Sequence, residues 1–173
     1  MKPVQWRVPA GTDPRKFREA LTLAHSAAQW LARLANSYLA PQPQHQQLLL
    51  AFDPQRHAFV SQVFINDLSV ELRLPQIEMQ FREGSHLVPH VLDVEGRSSA
   101  QIEAWVLVEL LHRGIDRARF SKQLPYGAAN LMSGDSLEYS PKACADGLAA
   151  LSDWFGNAAI VLEKIAEASR MKV

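Results

Sequence analysis

Cysteine is almost absent from this chain: Cys144 stands alone among 173 residues. One thiol closes no internal disulfide and builds no cysteine cage around a metal. It falls on the apolar face of an expected helix, where a thiol packs as a small hydrophobe. An excess of either charge is also missing, because 18 Lys and Arg balance 18 Asp and Glu. No global field then draws phosphate backbones or anionic lipid, which argues against nucleic acid as a partner. A chain without net charge has little electrostatic protection against self-association, and this favours a homo-oligomer. No stretch approaches the roughly 18 consecutive apolar residues of a membrane span. The amino-terminal MKPVQWRVPAGTD lacks the apolar run of a signal peptide, so the expectation is a cytoplasmic protein with no membrane partner.

Signature loops are missing too. LPYGAANLMSGD contains Gly127 and Gly134, but no Gly-Lys-Ser/Thr follows them, so a nucleotide site has no support. Ser61, Ser85, Ser133 and Ser136 lack the frame of a nucleophile elbow. No cofactor is implied, and no stretch is specific to one reaction.

What the chain does contain is 47% hydrophobic residues, enough for a sizeable core. Asp13 to Ala40 reads as one long helix, opened by an N-cap carboxylate and a proline at its first turn. Pro41 disfavours helix at Ala40 and ends it. Phe17, Leu21, Ala24, Ala28, Leu31, Ala35 and Tyr38 recur at spacings of four and three, and Leu23, Ala27, Trp30 and Leu34 widen that face. The apolar arc exceeds the roughly 100° stripe of a surface helix, so neighbours must enclose it. The remaining polar stripe holds Arg18, Thr22, His25, Ser26, Gln29, Arg33 and Asn36. It reads as the solvent edge, or, for His25, Gln29 and Asn36, as the lining of a cavity.

Alternation predicts an edge strand over 4–8. From Gln47 to Val94 the period becomes two. A central strand is expected at 48–52, followed by strands at 58–65 and 68–74. A hairpin turn is expected at Asn66-Asp67, a turn or bulge near Pro75, and a last hairpin through Glu83-Gly84. Leu68, Val70, Leu72 and Leu74 share one face of their strand, leaving Ser69, Glu71 and Arg73 on a wet one. Ser98 and Gln101 have capping-box spacing and Gly114 suits a C-cap, so a second helix spans 98 to about 113. Its apolar surface leaves little room for solvent, which predicts either a sandwiched helix or a subunit interface. Residues 115–141 are irregular, as functional or disordered loops are. A last helix runs from near Pro141 to about Arg170, with Leu148, Leu151, Phe155, Ala158, Ala159, Leu162 and Ile165 as its buried stripe and Asn157 facing out.

The fold class expected is α+β. An antiparallel meander of five to six strands packs on a long N-terminal helix, with two C-terminal helices, in a single domain over 1–173. Residues 96–173 form its helical half. Over residues 3–95 the order strand, long helix, meander is similar to a hot-dog domain. The glycine-containing loop that such thioesterases place ahead of their helix is not evident in PAGTDP, so the resemblance implies no thioesterase activity.

For function, His86 and His90 are four apart in an expected strand. Four residues there span roughly 13 Å, too far for one ion to be shared, and a common metal is rejected. Pairing through Glu83-Gly84 sets Phe81 opposite His86 and Ile77 opposite His90, which points both imidazoles inward. Inward histidines need partners or a cavity. The candidate ligand-binding residues are therefore His25, Gln29, His86 and His90, with Tyr126 from the overlying loop, and no catalytic residue is assigned. Two functions fit: a non-catalytic binding or assembly module, or an enzyme or carrier that holds a small-molecule ligand in a His-lined pocket under loop 115–141.

Overall fold

A computed structural model describes residues 5–9, 11–127, 132 and 137–170. The first helix, α1, spans Pro14–Tyr38, and Asp13 caps it by accepting from the Arg15 amide at 2.8 Å. Five strands follow: β1 (Ala51–Asp53), β2 (Ala58–Val60), β3 (Leu68–Arg73), β4 (Glu78–Glu83) and β5 (His86–Asp93). They pair antiparallel in the order β1-β2-β3-β4-β5, which is the expected meander. Asn66 and Asp67, both at positive φ, reverse the chain into β3 in two residues, as residues that tolerate the left-handed region should. Helix α2 (Ser99–His112) opens with both halves of the Ser98–Gln101 capping box. Gly114 takes a φ of 64° just beyond its end. Helix α3 covers Ala145–Arg170.

One cluster of buried side chains unites these elements. Leu68, Val70 and Leu72 of β3 join Met79 and Phe81 of β4, with Ile102, Val106 and Leu110 of α2 and Leu148 and Leu151 of α3. Trp30, Leu31 and Leu34 of α1 lie in the same cluster, each fully buried. Burial of such a side chain contributes about 1.5–3 kcal/mol relative to leaving it in water. Helices α1 and α3 meet very closely at Gly147, where an added Cβ would lie 2.8 Å from Ala20 Cβ and 2.9 Å from the Lys16 carbonyl.

The expected enclosure of α1 is observed, and its third wall is the irregular segment after α2. Trp30 stacks on Phe120 with ring centroids 6.5 Å apart. The Tyr38 hydroxyl donates to the Asp116 carbonyl at 3.0 Å. Asn36 Nδ2 donates to the Gln123 carbonyl, Ser37 Oγ accepts from the Ser121 amide, and Ser26 Oγ accepts from the Met132 amide. Much of the polar stripe of α1 is thus neither a solvent edge nor a cavity lining. Its short side chains, with Ser37 beside them, satisfy backbone groups of the segment after α2, most of whose described residues are themselves exposed. Asn130, Gly134 and Asp135 of that segment lie outside the described residues, as does Val4.

Several expectations need correction. Residues 5–9 form no strand. The Arg7 backbone is held instead by Asn157 of α3, whose amide accepts from the Arg7 N–H at 3.0 Å and donates to the Arg7 carbonyl at 2.7 Å. That task buries Asn157 to 3% exposure, where periodicity turned it outward. The apolar run 48–52 is no central strand, because a 3-10 turn over Pro43–Leu48 takes up its start and β1 is a short edge strand. The strand expected at 58–65 ends at Val60. The outer face of β3 is not wet at its centre: Glu71 is fully buried, because Arg56 and Arg82 close over its carboxylate at 2.9 and 3.6 Å and Arg73 at 3.8 Å. Long arginine stems can cover what no helix covers.

The β4–β5 register also differs. Glu83 pairs with His86 and Met79 with Leu92, with an irregularity between Gln80 and Arg82. Opposite Phe81, β5 carries Val88, Pro89 and His90, and a proline has no N–H for the ladder. The slack is taken up by Gln80, whose side-chain amide donates to the Val88 carbonyl.

In α3 the buried stripe stops early. Leu148 and Leu151 are buried and Phe155 is half-buried, but Ala158, Leu162 and Ile165 are exposed, and every residue from Val161 to Arg170 faces solvent.

Candidate functional site

The residues singled out by sequence end up in separate places. Gln29 and Tyr126 do meet: the Tyr126 hydroxyl donates to Gln29 Oε1 at 2.7 Å. Burial pushes the Tyr126 hydroxyl pKa up, against a smaller downward pull from Arg33. This contact fastens the loop to α1, with Tyr126 itself 40% exposed. His25 is exposed and lines a groove of about 410 Å³ with Leu21, Thr22, Ala24, Ala28, Phe59, Leu151 and Phe155. His86, at the start of β5, is exposed beside Ser85. Neither His86 nor His90 lines the groove.

The groove lies where α1, β2 and α3 converge. Phe59 and Phe155 meet edge to face at 4.7 Å, and Phe52 touches both rings. Aromatic pairs of this geometry contribute about 0.5–1.5 kcal/mol beyond their buried area. Among the described residues His25 is the only titratable side chain on the lining, so the groove is mostly apolar with one imidazole in its wall. Along α3 the apolar surface continues past the groove. Trp154 is 55% exposed, Val161 43%, Leu162 65% and Ile165 57%. Trp154, Ala158, Val161 and Ile165 recur at spacings of four, three and four, which puts them in one row.

A second gathering is polar. His90 Nδ1 lies 3.0 Å from Glu109 Oε1, and His112 Nδ1 lies 3.9 Å from the same oxygen. Glu109 and His112 are three apart on α2 and so share a helix face. Glu109 Oε2 accepts from Arg113 Nη1 at 2.8 Å, and Arg113 Nε also reaches Glu83 at 3.3 Å. Arg113 stacks over Phe81 at 5.0 Å.

Sequence reasoning missed Phe59 and Phe155 as groove walls, since a half-buried aromatic looks like core in a string of letters. It also missed Glu109 and His112, although Glu-Leu-Leu-His within the expected second helix carries the Glu-x-x-His spacing of helical metal ligands. His90 was named, but its partners depend on how β5 crosses α2. No protein-family model, curated protein or solved structure matches this chain. The resemblance of element order to a hot-dog domain therefore carries no activity to it.

Proposed function

We propose that this chain is a non-catalytic assembly module that pairs with a second copy of itself through the second half of α3 and the groove beside it. One observation carries the reading: the exposed row of Trp154, Ala158, Val161 and Ile165 continues the apolar face that its own first half buries. A helical extension of about ten residues, wet on every side, is only marginally stable by itself. Covering its apolar row stabilises it. The extension carries Glu163 and Glu167 against Lys164 and Arg170, so two copies that meet there bring no net repulsion.

A stable dimer buries roughly 800 Å² per partner. One helical row falls short of that area, so the groove has to take part. Phe155 follows Trp154 in the chain and forms part of the groove wall, and Leu21, 46% exposed, lines the groove from α1. The buried, free Cys144 suits the reducing interior of a cell, where we place the module.

The test is solution mass. Sedimentation equilibrium on the full chain should give twice the 19.3 kDa monomer mass, and Ile165→Asp with Val161→Asp should return it to the monomer with its circular dichroism unchanged. A wild-type chain that stays at monomer mass overturns the reading, as does a double variant that still dimerises.

A further inference from the structure

We propose that His90, Glu109 and His112 form a binding site for one divalent transition-metal ion of the zinc and iron(II) class. Their ligand atoms, one from each residue, all lie within 4.8 Å of one another. An ion held at about 2.0–2.1 Å by nitrogen and oxygen ligands needs them roughly 3–3.5 Å apart. The His90–Glu109 distance of 3.0 Å already satisfies this, and the His112–Glu109 distance of 3.9 Å needs a small turn of an exposed imidazole. Two histidines and one carboxylate, converging from one side, are the ligand set of open metal sites that leave positions for water.

The carboxylate is what separates this cluster from two surface histidines that happen to be close. Glu109 is 2% exposed on a helix whose other buried residues are Ile102, Val106 and Leu110. A buried carboxylate is costly unless it is paired. Arg113 binds one of its oxygens, which fixes the rotamer and leaves the other aimed at the two imidazoles, as an outer partner of a metal ligand does. Both imidazole side chains are more than half exposed, at 60% and 54%. An ion can therefore arrive from solvent and keep water on its open side.

His90 reaches this position because of the irregularity in β5. Val88, Pro89 and His90 stand opposite the single residue Phe81, and Trp105 of α2 packs on the Phe81 ring at 5.4 Å. The cluster thus sits where β5 meets α2, and it shares no residue with the groove or the exposed row of α3. Metal binding and pairing can therefore be tested separately.

The experiment is calorimetric titration of the untagged full chain with Zn(II), repeated with Co(II) to read its visible absorption. Wild type should bind one Zn(II) per chain, with Co(II) bands that report nitrogen and oxygen ligands. His90→Ala and His112→Ala should each lower the affinity at least tenfold, and Glu109→Gln should do the same while keeping its shape. His86→Ala, an exposed histidine on the same strand, should leave it unchanged. Absence of saturable binding in wild type overturns the proposal. So does wild-type affinity in His112→Ala, or an equal loss in His86→Ala. Because both histidines are exposed, their variants should keep the wild-type melting temperature without metal.

Discussion

Helices α1 and α3 differ by one residue in length, 25 against 26, and both carry a long apolar face, yet α1 buries most of its own, leaving Leu21 46% exposed at the groove, whereas Val161 to Arg170 of α3 are exposed throughout. Sheet, α3 and the segment after α2 each take one side of α1. Among the described residues nothing covers the second half of α3. An apolar period therefore tells which face of a helix is adhesive, and not whether the same chain supplies the cover.

Matched substitutions sharpen that contrast. Trp30 is fully buried in α1 and Trp154 is largely exposed on α3. Trp30→Ala should lower folding stability by about 3–5 kcal/mol in urea titrations. At the other end of the scale, Trp154→Ala should stay within about 0.5 kcal/mol for the monomer, as surface changes do. A large loss at Trp154 would mean that α3 is packed more fully than described.

The glycines of α3 make a pair of opposite sign. Gly147→Ala should destabilise by about 1–3 kcal/mol, the usual cost of overpacking, because its Cβ meets Ala20 and the Lys16 carbonyl. Gly156→Ala, whose Cβ meets nothing within 4 Å, should instead stabilise by about 0.4–1 kcal/mol through its helix propensity. Thermal melts of both variants check this.

A smaller effect should come from pH. His57, in the β1–β2 turn, lies 2.7 Å from Ser152 Oγ and so ties the covered half of α3 to the sheet. Burial, and then Arg7, pull the His57 pKa below its ordinary value of 6.5. A folded-state pKa below the unfolded one gives stability that is full above the unfolded value and declines as pH falls past it. The melting temperature should drop between pH 7 and 5, and His57→Asn, which also tolerates the φ of 53° found there, should flatten part of that slope. An unchanged slope in the variant would remove His57 from the account.

Much of the fold was legible because its signals are local. Asp13-Pro14, the Ser98–Gln101 box, Gly114 and Asn66-Asp67 each act through bonds within a few residues, and the alternation in β3 needs only its own side chains. Signals that depend on distant partners were not readable. Residues 4–8 alternate like a strand, but the Arg7 backbone is satisfied by Asn157, 150 positions away. The polar stripe of α1 had its composition in view and its purpose hidden, since the loop that it holds has no period of its own. At the candidate sites, Gln29 and Tyr126 touch, whereas His25 and His90 join different surroundings. The slip opposite Phe81 decides where His90 points, and Pro89 was its sole trace in the sequence.

The missing methyl group at Gly147 reaches further than its own contact. Ala20 and Gly147 lie in close contact at the end of the groove, whose wall begins at Leu21 on α1 and at Leu151 on α3. Any side chain at that pivot would wedge the helix axes apart and splay the cleft open without altering one residue that lines it. A variant there would change the width of the cleft while every residue lining it kept its chemistry.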